Sequence, residues 1–249
     1  MFCPALTPRQ PSADRHLRRV EGTATGNGDA VPALDATDLY RFYHVGDDET
    51  LALRGVSLHV EAGELVAVTG PSGSGKSTLL ACLAGLDEPD GGMVRIEDRP
   101  MSRRPETERA RLRAQRVGML FQSANLLEHL SVTDNVVVAQ QLVGRADRSR
   151  VAALLDSVGL AGRAHARPSQ LSGGETARAG LAVAVANSPA VVLADEPTGE
   201  LDSANAGIVL DLLAQLAGSG SAIVVVTHNE AVAERADRTV TLRDGQIAA

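Results

Sequence analysis

The chain has 249 residues, with 24 Lys and Arg against 31 Asp and Glu, giving a formal net charge of −7. That length suits one large α/β domain or two small ones, and the acidic balance argues against a nucleic acid or an anionic lipid surface as partner, since both favour a basic face. Hydrophobic residues make up 44% but aromatics only 2%, with no Trp, so the core has to be built from Ala, Val, Leu and Ile.

Two cysteines, Cys3 and Cys82, allow neither a disulfide framework nor a metal cluster, and they fit a reducing compartment. No apolar run approaches the ~18 residues of a membrane span. Pro4, Pro8 and Pro11, with Arg15, Arg18 and Arg19, break up any signal-peptide core at the N-terminus.

Residues 1–33 are rich in Pro, Gly, Ser, Thr and Arg without an apolar period, and read as a disordered tail. From Leu34 to Val60 the pattern is strand-like, and Val56–Val60 alternates cleanly. Ala62-Gly63 turns the chain into the short apolar run Glu64–Thr69. Next comes Gly70-Pro71-Ser72-Gly73-Ser74-Gly75-Lys76-Ser77-Thr78, which reads G-x-x-x-x-G-K-[ST], and then the helix formers Leu79–Ala84. Strand, glycine loop and helix in that order point backbone N–H groups and a helix N-terminus at phosphate oxygens. In such a P-loop Lys76 reaches the β- and γ-phosphates and the Ser77 hydroxyl sits on Mg²⁺.

Gly91-Gly92 opens a further short strand, Met93–Ile96. Arg103–Arg116 holds six arginines and two glutamates; without interleaved aromatics it reads as a solvated, charge-laced helix rather than a nucleic-acid patch. The strand Val117–Phe121 ends at Gln122, a residue type that places water or metal in other P-loop hydrolases. Residues 123 to about 188 read as helical, with Val151–Val158 an amphipathic helix stopped by Gly159. Within this stretch Leu171-Ser172-Gly173-Gly174-Glu175 is a capping box. Its two glycines also present bare N–H groups at a helix N-terminus, an anion site. A second anion site in one chain suggests a dimer closing on the nucleotide.

Beyond Pro189 the β/α alternation resumes. The buried strand Ala190–Ala194 leads into Asp195-Glu196. There Asp195 is placed to hold Mg²⁺ and Glu196 to act as general base on an attacking water. A helix over Ala204–Leu216, a strand over Ala222–Thr227, then His228, and a hairpin around Asp244-Gly245 complete the chain. His228, at the end of a strand, is placed to contact the γ-phosphate and that water.

Taken together, Tyr43, Gly70–Thr78, Gln122, Leu171–Glu175, Val191–Glu196, Leu201-Asp202 and His228 resemble the A-loop, Walker A, Q-loop, signature, Walker B, D-loop and H-loop of ABC transporter ATP-binding subunits. The likeness covers residues 35–247. Ala194–Asp202, Gly85-Leu86-Asp87 and Asn125-Leu126-Leu127 are similar to the lipoprotein-releasing, macrolide-export and cell-division group. Thr176, Gly180, Val183 and Asn229 depart from the family pattern without removing a catalytic group.

The resemblance implies an α/β fold: a P-loop NTPase core with an antiparallel β subdomain and an inserted all-helical subdomain. The core spans 34–122 and 189–249, and the helical subdomain 123–188. It implies ATP and Mg²⁺ as cofactors, with Ser77, Gln122 and Asp195 at the metal and Glu196, His228 and Gln122 catalytic. It implies a head-to-tail homodimer in which Tyr43 stacks on adenine while Ser172, Gly173 and Gly174 complete the partner's site, with Asp202 also at the nucleotide. It also implies a separate integral membrane permease and a place on the cytoplasmic face of the membrane. A regulatory ATPase signalling through a permease-like partner, or a soluble non-transport ABC ATPase, is the alternative.

Overall fold

The computed structural model describes residues 31–45, 48–122 and 126–248. Residues 1–30 of the expected tail, with Cys3, and Asn125 lie outside the described residues.

In chain order, β1 (Leu34–Val45) and β2 (Asp48–Val60) lead into β3 (Leu65–Thr69), a glycine loop and α1 (Lys76–Leu83). β4 (Gly91–Ile96), β5 (Arg99–Pro100), α2 (Glu106–Arg116) and β6 (Val117–Leu120) follow. Next come α3 (Val132–Gln141), α4 (Arg148–Ser157), the short 3₁₀ segments Ala161–Arg163 and Pro168–Gln170, and α5 (Gly173–Ala184). β7 (Val191–Asp195), α6 (Ser203–Gly218), β8 (Ala222–Val226), α7 (Glu230–Ala233), β9 (Arg238–Arg243) and β10 (Gln246–Ile247) complete the fold.

Among the described residues these strands make two sheets. One is antiparallel, in the order β2-β1-β4-β5. The other runs β10-β9-β3-β8-β7-β6, with every neighbouring pair parallel except the terminal β9–β10 hairpin. β3, β7 and β8 are buried almost end to end. Parallel strands are covered on both faces, so they read as unbroken apolar runs rather than alternating ones. Parallel direction also fixes where the chemistry collects. The carboxyl ends of β3, β6, β7 and β8 lie along one edge, the usual ligand edge of such a sheet. The loops beginning at Gly70, Gln122, Glu196 and Thr227 therefore meet there.

Three apolar clusters hold the layers. Leu34, Leu53 and Ile96 of the antiparallel sheet pack with Leu79 and Leu83 of α1. Leu181, Val209, Leu213 and Ile223 join α5 and α6 to the parallel sheet. Val132, Val136, Val151, Leu155 and Ala182 bind α3, α4 and α5 together. A fully buried side chain such as Leu213 contributes about 1.5–3 kcal/mol relative to exposure. Val183 is partly buried and packs against the third cluster. Gly180 is buried within an unbroken α5.

α2 has no buried residue, and Glu106 reaches Arg109 at 2.6 Å and Arg113 at 2.9 Å along its surface. It is the solvated, ion-paired helix that its composition suggests. Cys82 is free and buried in the first cluster, where desolvation pushes its thiol up to about 12. No helix among the described residues is long and apolar enough to cross a membrane.

Candidate functional site

The loop after β3 bends through positive φ at Gly70 (+148°), Gly73 (+79°) and Gly75 (+100°). At two of these positions space also forbids a side chain. A Cβ on Gly70 would lie 2.1 Å from the Leu242 carbonyl oxygen, and one on Gly75 would lie 2.4 Å from that of Ala52. The loop is thus pressed against β2 and β9 while its outer surface stays open. The β9–β10 turn supports it: the Gly245 N–H donates to the Ser74 carbonyl at 3.1 Å, and the Gly245 carbonyl accepts from Arg54 N–H at 2.8 Å.

Gly75 is the N-cap of α1 and supplies no side-chain cap, so the first-turn N–H groups are left for an outside acceptor. Lys76 Nζ donates back to the carbonyls of Gly70 (2.9 Å) and Pro71 (2.8 Å). Ser74 is buried and its Oγ has no hydrogen-bond partner, an unmet polar atom inside the loop itself.

Facing this loop is the carboxyl end of β7. Asp195 and Ser77 both line the cleft between them. The Asp195 pKa is raised, first by desolvation and then by the neighbouring Glu196 charge, with Ser77 and Lys76 acting in the opposite sense. Glu196 has φ +45°, a left-handed backbone uncommon for a residue with a side chain. Its Oε2 accepts from the buried Thr227 hydroxyl at 3.0 Å. Its Oε1 accepts from the His228 N–H at 3.0 Å and lies 2.6 Å from His228 Nδ1.

A cleft of about 740 Å³ unites these groups, a size in the range of small-molecule sites. Gly70, Ser72, Gly73, Gly75, Lys76, Ser77 and Thr78 line its floor, and Tyr43, Gln122, Asp195, Glu196 and His228 line its walls. The structure thus brings these residues together from five separate places in the chain. Gln122 Nε2 stands 3.5 Å from Glu200 Oε1 at the rim.

Pro71, Ser74, Ser172, Gly173, Gly174 and Asp202 are not among the lining residues of this cleft. Pro71 and Ser74 belong to the loop's own framework. Ser172 caps α5 and completes the capping box with Glu175: its Oγ accepts from Glu175 N at 3.3 Å, and Glu175 accepts from Ser172 N at 2.9 Å. Ser172 and Gly173 are exposed, whereas Gly174 is buried against α6. A Cβ on Gly174 would fall 2.0 Å from Asn205 Oδ1. Asp202 caps α6, accepting from Asn205 N at 2.8 Å.

Sequence reasoning misses the contributions of five residues. Thr227 hides inside an apolar strand run, where a Thr is unremarkable. Asp87 and Arg41 surround Tyr43, but they reach it only through the fold. Asp244-Gly245 reads as a hairpin turn and is one, but nothing local says that it buttresses the glycine loop.

The parallel sheet, its glycine cradle and the carboxylates opposite define a P-loop nucleotide-phosphate-binding cassette. The ABC transporter family model matches residues 53–199, and the chain belongs to that family. It is 43% identical over 219 residues to a macrolide export ATP-binding/permease protein of Hyphomonas neptunium, covering 87% of this chain and 34% of that one. To an uncharacterized ABC transporter ATP-binding protein of Thermotoga maritima it is 42% identical over 217 residues, covering 86% of this chain and 93% of that one. The chain thus spans about a third of the length of the macrolide-export relatives it matches and nearly all of the Thermotoga one.

Among solved structures, it superposes on the dimeric post-hydrolysis structure of the ATP-binding cassette MJ0796 bound to ADP and Pi. The TM-score is 0.81 at 34% identity, covering 87% of this chain and 97% of that one. A second dimeric structure of MJ0796, described as a bacterial ABC transporter cassette, matches equally well. The fold is that of an ABC ATPase cassette.

Proposed function

We propose that this chain binds and hydrolyses ATP and thereby powers a separate integral membrane permease, on whose cytoplasmic side it sits as a peripheral subunit. The observation that carries this reading is the convergence in one cleft of the glycine cradle, Ser77, Asp195 and the Glu196–His228 pair. The relatives' names, an export ATP-binding protein and an ABC transporter ATP-binding protein, supply the class of work.

Each group has one task in this reading. The loop N–H groups and Lys76 grip the β- and γ-phosphates, with Lys76 turning from its own loop carbonyls to the nucleotide. The Tyr43 ring stacks on adenine. Hard oxygen donors suit Mg²⁺, and the Ser77 hydroxyl and Asp195 carboxylate fit that ion, with Gln122 beside them. When bound, Mg²⁺ neutralises charge on the phosphate oxygens. Glu196, oriented by Thr227 and His228, takes a proton from the attacking water.

Ser172, Gly173, Gly174 and Asp202 serve a second copy. Ser172 and Gly173 are exposed and stand outside their own chain's cleft, and the MJ0796 cassette is dimeric in both matching structures. The active form is therefore a head-to-tail dimer with two ATP between the subunits. Residues 34–122 and 189–249 form the nucleotide-binding core, and 123–188 is the helical arm that meets the permease.

The test is Mg²⁺-dependent ATP hydrolysis by the purified chain, together with co-purification of a multi-span membrane protein from native cells. Hydrolysis without Mg²⁺ dependence, or native complexes with no membrane protein, would refute the corresponding half.

A further inference from the structure

The Tyr43 ring is held by an ion-paired cluster that links it to the far end of the helix carrying Lys76. Asp87 Oδ2 accepts from the Tyr43 hydroxyl at 2.8 Å and from Arg41 Nε at 2.8 Å. The Arg41 guanidinium carbon lies 4.7 Å from the Tyr43 ring centroid, over the ring, within cation–π reach. Arg41 Nη1 also donates to Asp90 Oδ2 at 3.0 Å, and Asp90 accepts the Phe42 N–H at 2.8 Å.

This cluster is built rather than incidental. Arg41 is four-fifths shielded and Asp87 three-quarters. Burial opposes the Arg41 charge, and its partners Asp87, Asp90 and Tyr43 outweigh it, raising the pKa above the ordinary arginine value. Asp87 is delivered by the end of α1. Gly85, at φ +65°, turns the chain, and the N–H groups of Leu86 and Asp87 donate back to Ala81 O at 2.9 and 3.2 Å. The second Asp87 oxygen accepts Glu88 N at 2.9 Å, so the carboxylate is fixed in rotation.

We propose that Asp87 and Arg41 are positioning residues for nucleotide-base recognition: together they lock the Tyr43 ring, Arg41 against one face and the other face left to the base. This rests on the nucleotide reading of the cleft. Neither residue touches the nucleotide. Each acts by removing the ring's freedom before the base arrives, so the base stacks on a platform already in place.

The test compares ATP with inorganic tripolyphosphate by calorimetry, because tripolyphosphate engages the glycine cradle and has no base. In Asp87→Asn, ATP affinity falls about five- to tenfold and tripolyphosphate affinity stays at the wild-type value. Arg41→Gln repeats this pattern. On a Tyr43→Ala background, where ATP binding is already weakened, Asp87→Asn has no further effect, as a thermodynamic cycle requires of a residue that works through another.

Equal losses for both ligands would overturn the assignment, since a merely structural Asp87 would weaken the cradle too. Unchanged ATP affinity in both variants would overturn it as well. A wild-type chain that binds neither ligand would refute the nucleotide reading, and this assignment with it. That failure is recognisable because it appears before any substitution.

Discussion

Glu196 holds His228 at two points, accepting its backbone N–H at 3.0 Å and standing 2.6 Å from its Nδ1. Together with the Thr227 hydroxyl, this occupies both carboxylate oxygens and orients a side chain whose own backbone sits in the left-handed region. On the proposed reading of Glu196 as the base, a carboxylate so constrained faces the phosphate loop without having to search rotamers. Glu196→Gln should lower ATP turnover about a hundredfold to ten-thousandfold while retaining ATP binding, and should trap an ATP-bound dimer on size-exclusion chromatography. Turnover at the wild-type rate would remove Glu196 from its role. Thr227→Val, which keeps the shape and removes the donor, should give a smaller loss in kcat with little change in KM.

Lys76 already spans Gly70 and Pro71 with two hydrogen bonds. Lys76→Ala removes the cation from the cradle, and ATP binding measured by calorimetry should be lost. Unchanged affinity would contradict the phosphate contact.

Exposed Ser172 lies at the α5 N-terminus, away from its own chain's cleft. Ser172→Arg should spare ATP binding by the monomer and block dimer closure. In the wild type, specific activity should rise with protein concentration below the dimer constant. A rate per chain that does not depend on concentration would argue against a shared site.

Gly174 meets Asn205 so closely that an added Cβ would lie 2.0 Å from Oδ1 and 2.4 Å from Cγ. The whole Asn205 side chain would have to move, and with it the Asn205 contacts to Asp202 and Arg178. Gly174→Ala should cost about 1–3 kcal/mol in urea unfolding, and adding Asn205→Ala should recover part of that loss. A fully stable single variant would mean that α5 and α6 separate easily.

Asp195 has a raised pKa, chiefly from desolvation and then from the Glu196 charge. Its ionisation therefore destabilises the fold. The cost develops as pH rises from the ordinary aspartate value and is complete above the folded-state pKa. Asp195→Asn should raise the melting temperature at neutral pH, and its advantage should vanish as pH falls below the ordinary aspartate value. Mg²⁺-ATP should stabilise the wild type and not this variant. A melting difference that stays flat with pH would assign the effect to something other than the charge.

Much of this is legible in the residues because local rules and global fold agree. Val191–Ala194 is unbroken apolar sequence, as befits a strand covered on both faces, and a carboxylate at its end has to emerge at the ligand edge. The Ser172–Glu175 capping box is complete in four consecutive residues. Asp87 offers no such signal. It lies 44 residues from Tyr43, and nothing short of the β1–β4 pairing and the α1 turn reveals their contact. Thr227 is opaque for a different reason: its hydroxyl matters only because β8 runs beside β7 in register, Val226 against Asp195. The short β5 and α7 carry too few residues to show a period.

α1 begins at Lys76 and ends just before the turn that presents Asp87 to Tyr43. Its eight residues span about 12 Å, and its packed side chains allow little bending. On the proposed nucleotide reading, the helix acts as a gauge block, with the phosphate grip machined into one end and the base platform clamped to the other. Inserting one residue would rotate the two ends by about 100° relative to each other. The cassette would then measure the wrong molecule even with every contacting side chain intact.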